Sequence, residues 1–381
     1  MSESKKIVFL TGTRADFGKL KSLIEILCSN ENFEVHIFAT GMHMDIKYGF
    51  TVNEIAKCGY RNIYRYINHD SESLMDITLS RTIEGFANYV RMIQPGLIVV
   101  HGDRIEALAG ATVGALNNIL VAHIEGGELS GTVDELVRHA VSKLSHTHFV
   151  SNADAARRLE QMGEIRSSIF VIGSPDMDVM LSEHLPAIEE VKSHYEIPFE
   201  KYAVSLFHPV TTEVDQLAVY AESYFNALES SGLNYILVYP NNDKGAAVIM
   251  QQLHKIEASE RYKIFPSIRF ESFLSLLKHA QFIIGNSSAG IREAPYYGVP
   301  TINVGSRQHK RTTNADIIHT DYEFGSIKKG IESAMVSKIN AQQLYGTGNS
   351  DTKFFEILNT ADFWNIKKQK AFKDANALEH V

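Results

Sequence analysis

LIVVHGDRIEALAGATVGALNNILVAHIEG, residues 97–126, holds two short apolar runs, LIVV and ILVAHI, on either side of an Ala-rich stretch of helical composition. Strands that are apolar almost throughout are buried on both faces, which is the condition of a parallel sheet covered by helices. The segment reads as a strand, a crossover helix and a second parallel strand. The same alternation appears upstream in KIVFLTG (6–12) and VHIFATG (35–41), and downstream in THFVS (147–151). It restarts in AVSLFHP (203–209), YILVYPN (235–241), QFIIGN (281–286) and PTINVG (300–305). Between the two series lies a stretch from about 173 to 200 punctuated by Pro175, Pro186 and Pro198, the best linker candidate. At 381 residues the chain exceeds the size at which one core stops growing. The prediction is an α/β protein of two doubly wound domains, 1–175 and 176–360, with a helical tail over 361–381.

Composition narrows the function classes. Lys plus Arg (37) against Asp plus Glu (45) gives a net charge of -8, so no global basic surface exists for nucleic acid, and any bound phosphate must meet a local basic site. Cys28 and Cys58 are too few for a disulfide framework or a cysteine zinc site, which favours a reducing compartment. Polar MSESKK leads straight into a strand-like run without a signal peptide's apolar core, and no apolar stretch reaches membrane-spanning length. The expected setting is the cytoplasm.

Nearly every apolar strand ends in a polar, Gly-containing cluster: TGTRAD, ATGMH, HGDR, IEGGE, FHP, YPN, GNSS and VGSR. Any one of these can be an ordinary turn. As a set they mark the carboxyl ends of strands, where doubly wound sheets bind ligands, and two such edges face to face would line one interdomain cleft. GNSSAGIREA (285–294) reads as strand, small-residue turn and helix, with Ser287 and Ser288 placed to meet an anion at a helix N-terminus; the plain alternative is a Ser-capped helix. It lacks the Gly-Lys-Ser/Thr of a P-loop and the spacing of a dinucleotide fingerprint. Arg14, Arg104 and Arg307 occupy matching strand ends and offer planar forks suited to phosphate oxygens, although a lone arginine is more often a surface ion pair.

Three carboxylates fall in the same region. Asp103 in HGDR and Glu125 in HIEGGE follow successive apolar strands, and Asp134 opens the helix read from GTVDELVRHAVSKL, where its plain role is N-terminal charge. Acids at adjacent strand ends can share proton-transfer work. Arg138 and His139, one turn on, can orient them. His101 and His123 flank Asp103 and Glu125 at two-residue spacing, a pattern compatible with a metal but more often that of hydrogen-bonded structural histidines. His208, between AVSLF and Pro209, stands where a leaving phosphate would be met or is a neutral core histidine.

Taken in order, TGTRADFGKL, ATGMH, HGDRIEALAG, HIEGGELSGTVDELVRHAVSKLSH, HPVTT and GNSSAGIREAPYYGVPTINVGSRQ resemble the hydrolysing UDP-N-acetylglucosamine 2-epimerases of sialic acid biosynthesis, from about residue 6 to 310. Non-hydrolysing epimerases usually carry different segments where this chain has IEGGE and GNSS. The resemblance implies a glycosyltransferase-B-like pair of Rossmann domains with UDP held mainly by the second. It further implies Asp103, Glu125 and Asp134 as catalytic carboxylates, with His208 acting on the leaving phosphate. Nucleotide contacts carried over are Arg14, Arg104, His208, Ser287, Ser288, Glu293 and Arg307, with Asn241 and Asp243 near ribose and phosphate. Phe273 and Arg307 resemble a pair sandwiching uracil, Glu293 a group accepting ribose hydroxyls, and His43 a sugar contact. The implied reaction is elimination of UDP to 2-acetamidoglucal followed by hydration to N-acetylmannosamine, in a homodimer or homotetramer, with no metal or other cofactor. Competing readings are the same chemistry on UDP-2,4-diacetamido-2,4,6-trideoxyglucose, a UDP-sugar glycosyltransferase, a metal-dependent hydrolase, or a nucleotide-sugar sensor.

Overall fold

A computed structural model describes residues 4–69, 74–130, 133–183, 185–308, 314–342, 345–371 and 373. The first sheet contains β1 (Lys5–Thr11), β2 (Phe33–Ala39), β3 (Asn62–Arg65), β4 (Leu97–His101), β5 (Leu120–Ile124), β6 (Thr147–Val150) and β7 (Ile169–Val171). The second contains β8 (Ala203–Leu206), β9 (Tyr235–Val238), β10 (Tyr262–Phe265), β11 (Ile283–Gly285), β12 (Thr301–Val304) and β13 (Ile318–Thr320). Their orders are β3-β2-β1-β4-β5-β6-β7 and β10-β9-β8-β11-β12-β13, and every neighbouring pair is parallel. Both are doubly wound, as the alternating apolar runs predict.

Burial follows the sequence pattern. β4 and β5 are buried along almost their whole length, and the helix Arg14–Cys28 turns Leu20, Leu23, Ile24 and Leu27 into the core beside Ile7, Phe9 and Val99. Thr13 caps that helix by accepting from the Asp16 N–H at 3.1 Å, so the strand-to-helix turn of TGTRAD is fixed by its own polar residues. Truncating one of these leucines to Ala would cost about 2–5 kcal/mol through lost burial and a residual cavity.

The chain does not end on the second sheet. Helices Ser350–Leu358 and Ala361–Trp364 return to the first core, where Phe354, Leu358 and Phe363 are buried and the Phe354 ring meets Phe149 edge-on at 4.7 Å. The helix over 350–358, inside the range read as second domain, thus completes the packing of the first. Among the described residues no helix is long and apolar enough to cross a membrane.

In each sheet the strand order reverses once, between β1 and β4 and between β8 and β11, and such switch points open a crevice at the strands' carboxyl ends. The loops leaving these strands are TGTRAD, HGDR, FHP and GNSS. Gly285 allows the second crevice to close tightly: its φ is +134°, and a Cβ there would lie 1.9 Å from the Leu206 carbonyl oxygen.

Candidate active site

The two crevices face one another across a cavity of about 310 Å³. Of the residues singled out in the sequence, Arg14, Asp103, Arg104, Glu125, Asp134, His208, Asn241, Phe273, Ser287, Ser288, Glu293 and Arg307 line it. His43 and Asp243 do not. His43 is fully buried with Nε2 3.1 Å from Thr11 Oγ1 and Nδ1 2.7 Å from Thr51 Oγ1, so both ring nitrogens serve the loop after β2 and neither is presented to a sugar. Burial pulls its pKa down to about 4, and a neutral ring suits that role. Asp243 accepts from Asn241 Nδ2 at 2.5 Å and lines a separate recess behind Asp103 and Asp134.

The three carboxylates occupy different electrostatic settings. Glu125 closes β5 with φ +62°, a left-handed conformation that costs a non-glycine residue about 1–3 kcal/mol. Its side chain is buried between Arg292, which donates to both carboxylate oxygens (Nη1 to Oε2 at 2.9 Å), Ser174 Oγ at 2.5 Å and His101 Nε2 at 3.2 Å. Burial alone would raise its pKa, but Arg292 and His101 outweigh it and hold the carboxyl well below its ordinary range. Asp103 accepts from Ser130 Oγ at 2.7 Å and from Arg138 Nη2. Arg138 also donates to the Glu125 carbonyl at 2.6 Å, so it ties the ends of β4 and β5 together. Asp134, at the start of helix Val133–Leu144, is pushed up to about 6 by burial and by the neighbouring Asp103 charge, against the pull of Arg307 3.2 Å away.

The histidines divide by role. His101 bridges Asp16 (2.8 Å) and Glu125 (3.2 Å); burial opposes protonation, but hydrogen bonds to the two acids raise its pKa to about 9, so the ring is a cation. His123 is buried, contacts Ser142 Oγ and the Gly102 carbonyl, and is lowered to about 3 by burial. His123 is engaged on both sides and His101 lies between two carboxylates, and among the described residues no group of three or more His, Cys, Asp or Glu side chains is arranged to hold a metal ion. His208 is half-buried at the cleft wall, and desolvation, with Arg307 and Arg104 nearby, holds its pKa well below the ordinary value, so the ring is neutral. Its Nδ1 accepts from the Asn241 N–H at 3.1 Å, which leaves the proton on Nε2 as a donor. Asn286 fixes the loop by accepting from the His208 N–H at 2.7 Å and donating to its carbonyl at 2.8 Å.

GNSS is built differently from the expected strand, turn and long helix. A 3-10 turn, Ser288–Gly290, follows β11, and the next helix spans only Glu293–Tyr296. The helix dipole is therefore small, and anion binding falls to the serine hydroxyls and nearby cations. Arg307 donates to the Asn286 carbonyl at 3.1 Å and to Asp134, which places its guanidinium at the carboxylate end of the cavity. Arg104 pairs with Glu106 and reaches Asn242 Oδ1 at 3.0 Å across the cleft, while Arg14 stands 3.5 Å from Glu54. Glu293 accepts from Lys19 at 3.2 Å through Oε1, and its buried Oε2 has no protein partner.

Sequence reasoning missed Asp16, Lys19, Ser174, Asp176 and Arg292. Asp16 closes TGTRAD and Lys19 follows three residues later on the same helix face, and Arg292 immediately precedes Glu293 in GIREA; charged residues in and beside strand-end clusters were the available signal.

The family model described as UDP-N-acetylglucosamine 2-epimerase matches residues 26–359. A UDP-N-acetylglucosamine 2-epimerase of Neisseria meningitidis serogroup B is 50% identical over 98% of this chain and 100% of its own length. A UDP-N,N'-diacetylbacillosamine 2-epimerase (hydrolyzing) of Legionella pneumophila is 34% identical over 93% of this chain and 96% of its own. Polysialic acid biosynthesis protein P7 of Escherichia coli is 30% identical, covering 86% and 87%. The solved structure of Methanocaldococcus jannaschii UDP-GlcNAc 2-epimerase with UDP-GlcNAc and UDP shares the fold at a TM-score of 0.80 and 23% identity, covering 93% of this chain and 99% of that one.

Proposed function

The chain belongs to the UDP-N-acetylglucosamine 2-epimerase family, and from that premise we propose that it is a hydrolysing 2-epimerase, converting UDP-N-acetylglucosamine and water into N-acetylmannosamine and UDP. The observation that carries this reading is the placement of two acids in one cavity in opposite electrostatic settings: Glu125 clasped by Arg292 and His101 and held well below the ordinary carboxylate range, Asp134 beside Asp103 and raised to about 6. Acids whose environments push their pKa values apart are suited to act as base and acid.

Carbon 2 of an N-acetylhexosamine is not acidic, so its proton leaves only as the bond between carbon 1 and the UDP oxygen breaks. In the proposed first step Glu125 accepts that proton, the electron pair forms the carbon 1 to carbon 2 double bond of 2-acetamidoglucal, and UDP departs with the bond's electrons. The His208 Nε2–H, Arg14, Arg104 and the Ser287 and Ser288 hydroxyls meet the charge on the diphosphate; one such contact is typically worth about 3–4 kcal/mol in the transition state. In the second step water adds its oxygen to carbon 1 while Asp134, protonated part of the time at neutral pH, delivers a proton to carbon 2 from the other face; the proton shed by water and the one taken up by Glu125 pass to solvent, from which Asp134 is reprotonated. Asp103 keeps Asp134 raised by its charge. Phe273 and Glu293 serve uracil and ribose.

Two substrates compete. Greater identity to the Neisseria relative supports UDP-N-acetylglucosamine, whereas the Legionella relative's name points to a diacetamido sugar. Purified protein is offered each UDP-sugar and products are followed by proton and phosphorus NMR. Free N-acetylmannosamine and UDP are expected from UDP-N-acetylglucosamine. Accumulation of UDP-N-acetylmannosamine would overturn the hydrolysing reading, and turnover of the diacetamido sugar alone would overturn the substrate. Free N-acetylmannosamine is the sugar from which sialic acid biosynthesis proceeds, and the relative named for polysialic acid biosynthesis supports that setting.

A further inference from the structure

The segment Ser174-Pro175-Asp176-Met177-Asp178 follows β7 and carries the chain from the first sheet toward the second, yet residues 172–177 are buried. Its three polar side chains reach three different parts of the molecule. Ser174 Oγ contacts Glu125 Oε1 at 2.5 Å and Arg292 Nη2 at 2.7 Å. Asp176 Oδ2 accepts from Lys19 Nζ at 2.8 Å and lies 3.3 Å from Arg292 Nη2. Asp178 accepts from Ser22 Oγ and from the Ser350 and Asp351 N–H groups at 2.8–3.0 Å, which anchors the returning C-terminal helix.

Lys19 and Arg292 continue these contacts. Lys19 also holds Glu293 at 3.2 Å, so an unbroken series of buried and part-buried polar contacts runs Glu293, Lys19, Asp176, Arg292, Glu125 and His101. It starts at the second domain's nucleotide wall, passes through the linker and ends at the first domain's carboxylate. The linker is locked from the other side: the Ser174 N–H donates to the Tyr345 carbonyl at 2.7 Å, and the Arg292 guanidinium sits 4.8 Å over the Tyr345 ring. A fully buried aspartate is costly unless its partners fix it, and a plain interdomain tether requires none.

We propose that Ser174 and Asp176 are positioning residues of the reaction, holding Glu125 through Arg292 and Glu293 through Lys19 so that one rigid linker sets the carboxylate and the nucleotide wall in register. This rests on the reading of Glu125 as a proton-transfer group. The linker is thereby part of the active site although it touches no substrate atom. A displacement of about 1 Å in a reacting group can cost about 100-fold in rate, so small changes in this frame are visible in turnover.

The test uses the full chain carrying Ser174→Ala or Asp176→Asn. UDP affinity and the number of UDP sites per chain are measured by calorimetry, and turnover of UDP-N-acetylglucosamine by NMR is expressed per UDP site. The expected result is retained UDP stoichiometry, UDP affinity within about 3-fold for Ser174→Ala and weakened by more than that for Asp176→Asn, whose link through Lys19 holds Glu293, and per-site kcat lowered about 10-fold by Ser174→Ala and about 100-fold by Asp176→Asn. A merely structural role lowers UDP sites and turnover in proportion and leaves per-site kcat unchanged; per-site kcat within 2-fold of the parent would overturn the proposal. Should Asp176→Asn fail to fold, Ser174→Ala decides alone, since it removes one oxygen. Turnover is scored as loss of substrate, so release of an uncleaved epimer would defeat the hydrolysing reading and leave this test intact. Full activity of Glu125→Gln would separately defeat the role of Glu125.

Discussion

Replacing Arg292 by Met removes the largest of the charges that hold Glu125 ionised. Arg292 is 5% exposed, donates to both oxygens of Glu125 and lies 3.3 Å from Asp176. Its loss leaves Glu125 with His101 and Ser174, and Asp176 with Lys19, all at buried positions. Removing one partner of a buried ion pair typically costs about 3–5 kcal/mol, because the remaining charge stays desolvated. That cost falls on the ionised form of Glu125, so its pKa must rise. The sign of the pH dependence follows. In the parent, Glu125 is depressed, so it contributes stability above the unfolded carboxyl pKa that is lost as pH falls through the folded value. In Arg292→Met burial is opposed chiefly by His101 and Lys19, so the folded pKa rises, the penalty is full at pH 7 and it is relieved as the pH drops through the raised value. Urea unfolding at pH 7 and pH 4.5 should therefore show a gap between parent and variant that narrows on acidification. Glu125→Gln in the Arg292→Met background should recover much of the loss at pH 7. A gap that is equal at both pH values, or a double variant no more stable than Arg292→Met, would refute the reasoning.

Turnover in heavy water should place deuterium at carbon 2 of the N-acetylmannosamine formed, because the proton removed and the proton returned pass through solvent-exchanging carboxyls; NMR showing the substrate's own hydrogen retained there rules the scheme out. Asp134→Asn should impair hydration more than elimination and release 2-acetamidoglucal, detectable by mass spectrometry, whereas Glu125→Gln should release little. Arg307→Ala removes a cation 3.2 Å from Asp134, so the Asp134 pKa should rise by about 1–2 units, and the limb of the kcat/KM pH profile that reports it should move to higher pH. An unmoved limb would detach Asp134 from the observed profile. Phe273→Ala should weaken UDP binding by calorimetry with the fold intact; unchanged affinity would remove Phe273 from the nucleotide site.

Central strands were legible because both faces are buried and the residues are correspondingly apolar: β1, β4, β5, β8 and β11 match the apolar runs closely. The four strands without a clear sequence signal, β3, β7, β10 and β13, are the four sheet edges. They are short and partly exposed, so NIYR and IHT carry polar residues that no alternation identifies. A comparable division holds for the site. Asp103, Glu125, Asp134 and His208 lie at strand ends or a helix start, where local pattern locates them. Ser174, Asp176 and Lys19 act through contacts spanning 49 to 274 residues of chain, and no local spacing encodes those. His43 shows the converse, since its strand-end position suggested a ligand contact while two threonine hydroxyls claim its ring.

The same geometry explains why so much unfavourable electrostatics gathers here. Among the described residues, buried side-chain atoms without a protein partner include Arg14 Nε, Asp176 Oδ1, Asn241 Oδ1, Arg292 Nε and Glu293 Oε2, and apart from Asp176 every one of these residues lines the cavity. Orphaned buried polar groups are rare in stable cores, and a cluster of them beside a strained Glu125 backbone is a cost that the apolar cores of two sheets must offset. Proteins retain such groups where a ligand supplies the missing partners or where a charge must be held ready for a transition state. Arg14, Asn241 and Glu293 fit the first case, since they line the part of the cavity proposed for the nucleotide. Arg292 and Asp176 fit the second, because Arg292 already pairs with both Asp176 and Glu125 and so sets the charge state of Glu125. The cleft is thus divided between a half completed by its ligand and a half preorganised without it, and the linker that bears Ser174 and Asp176 connects them.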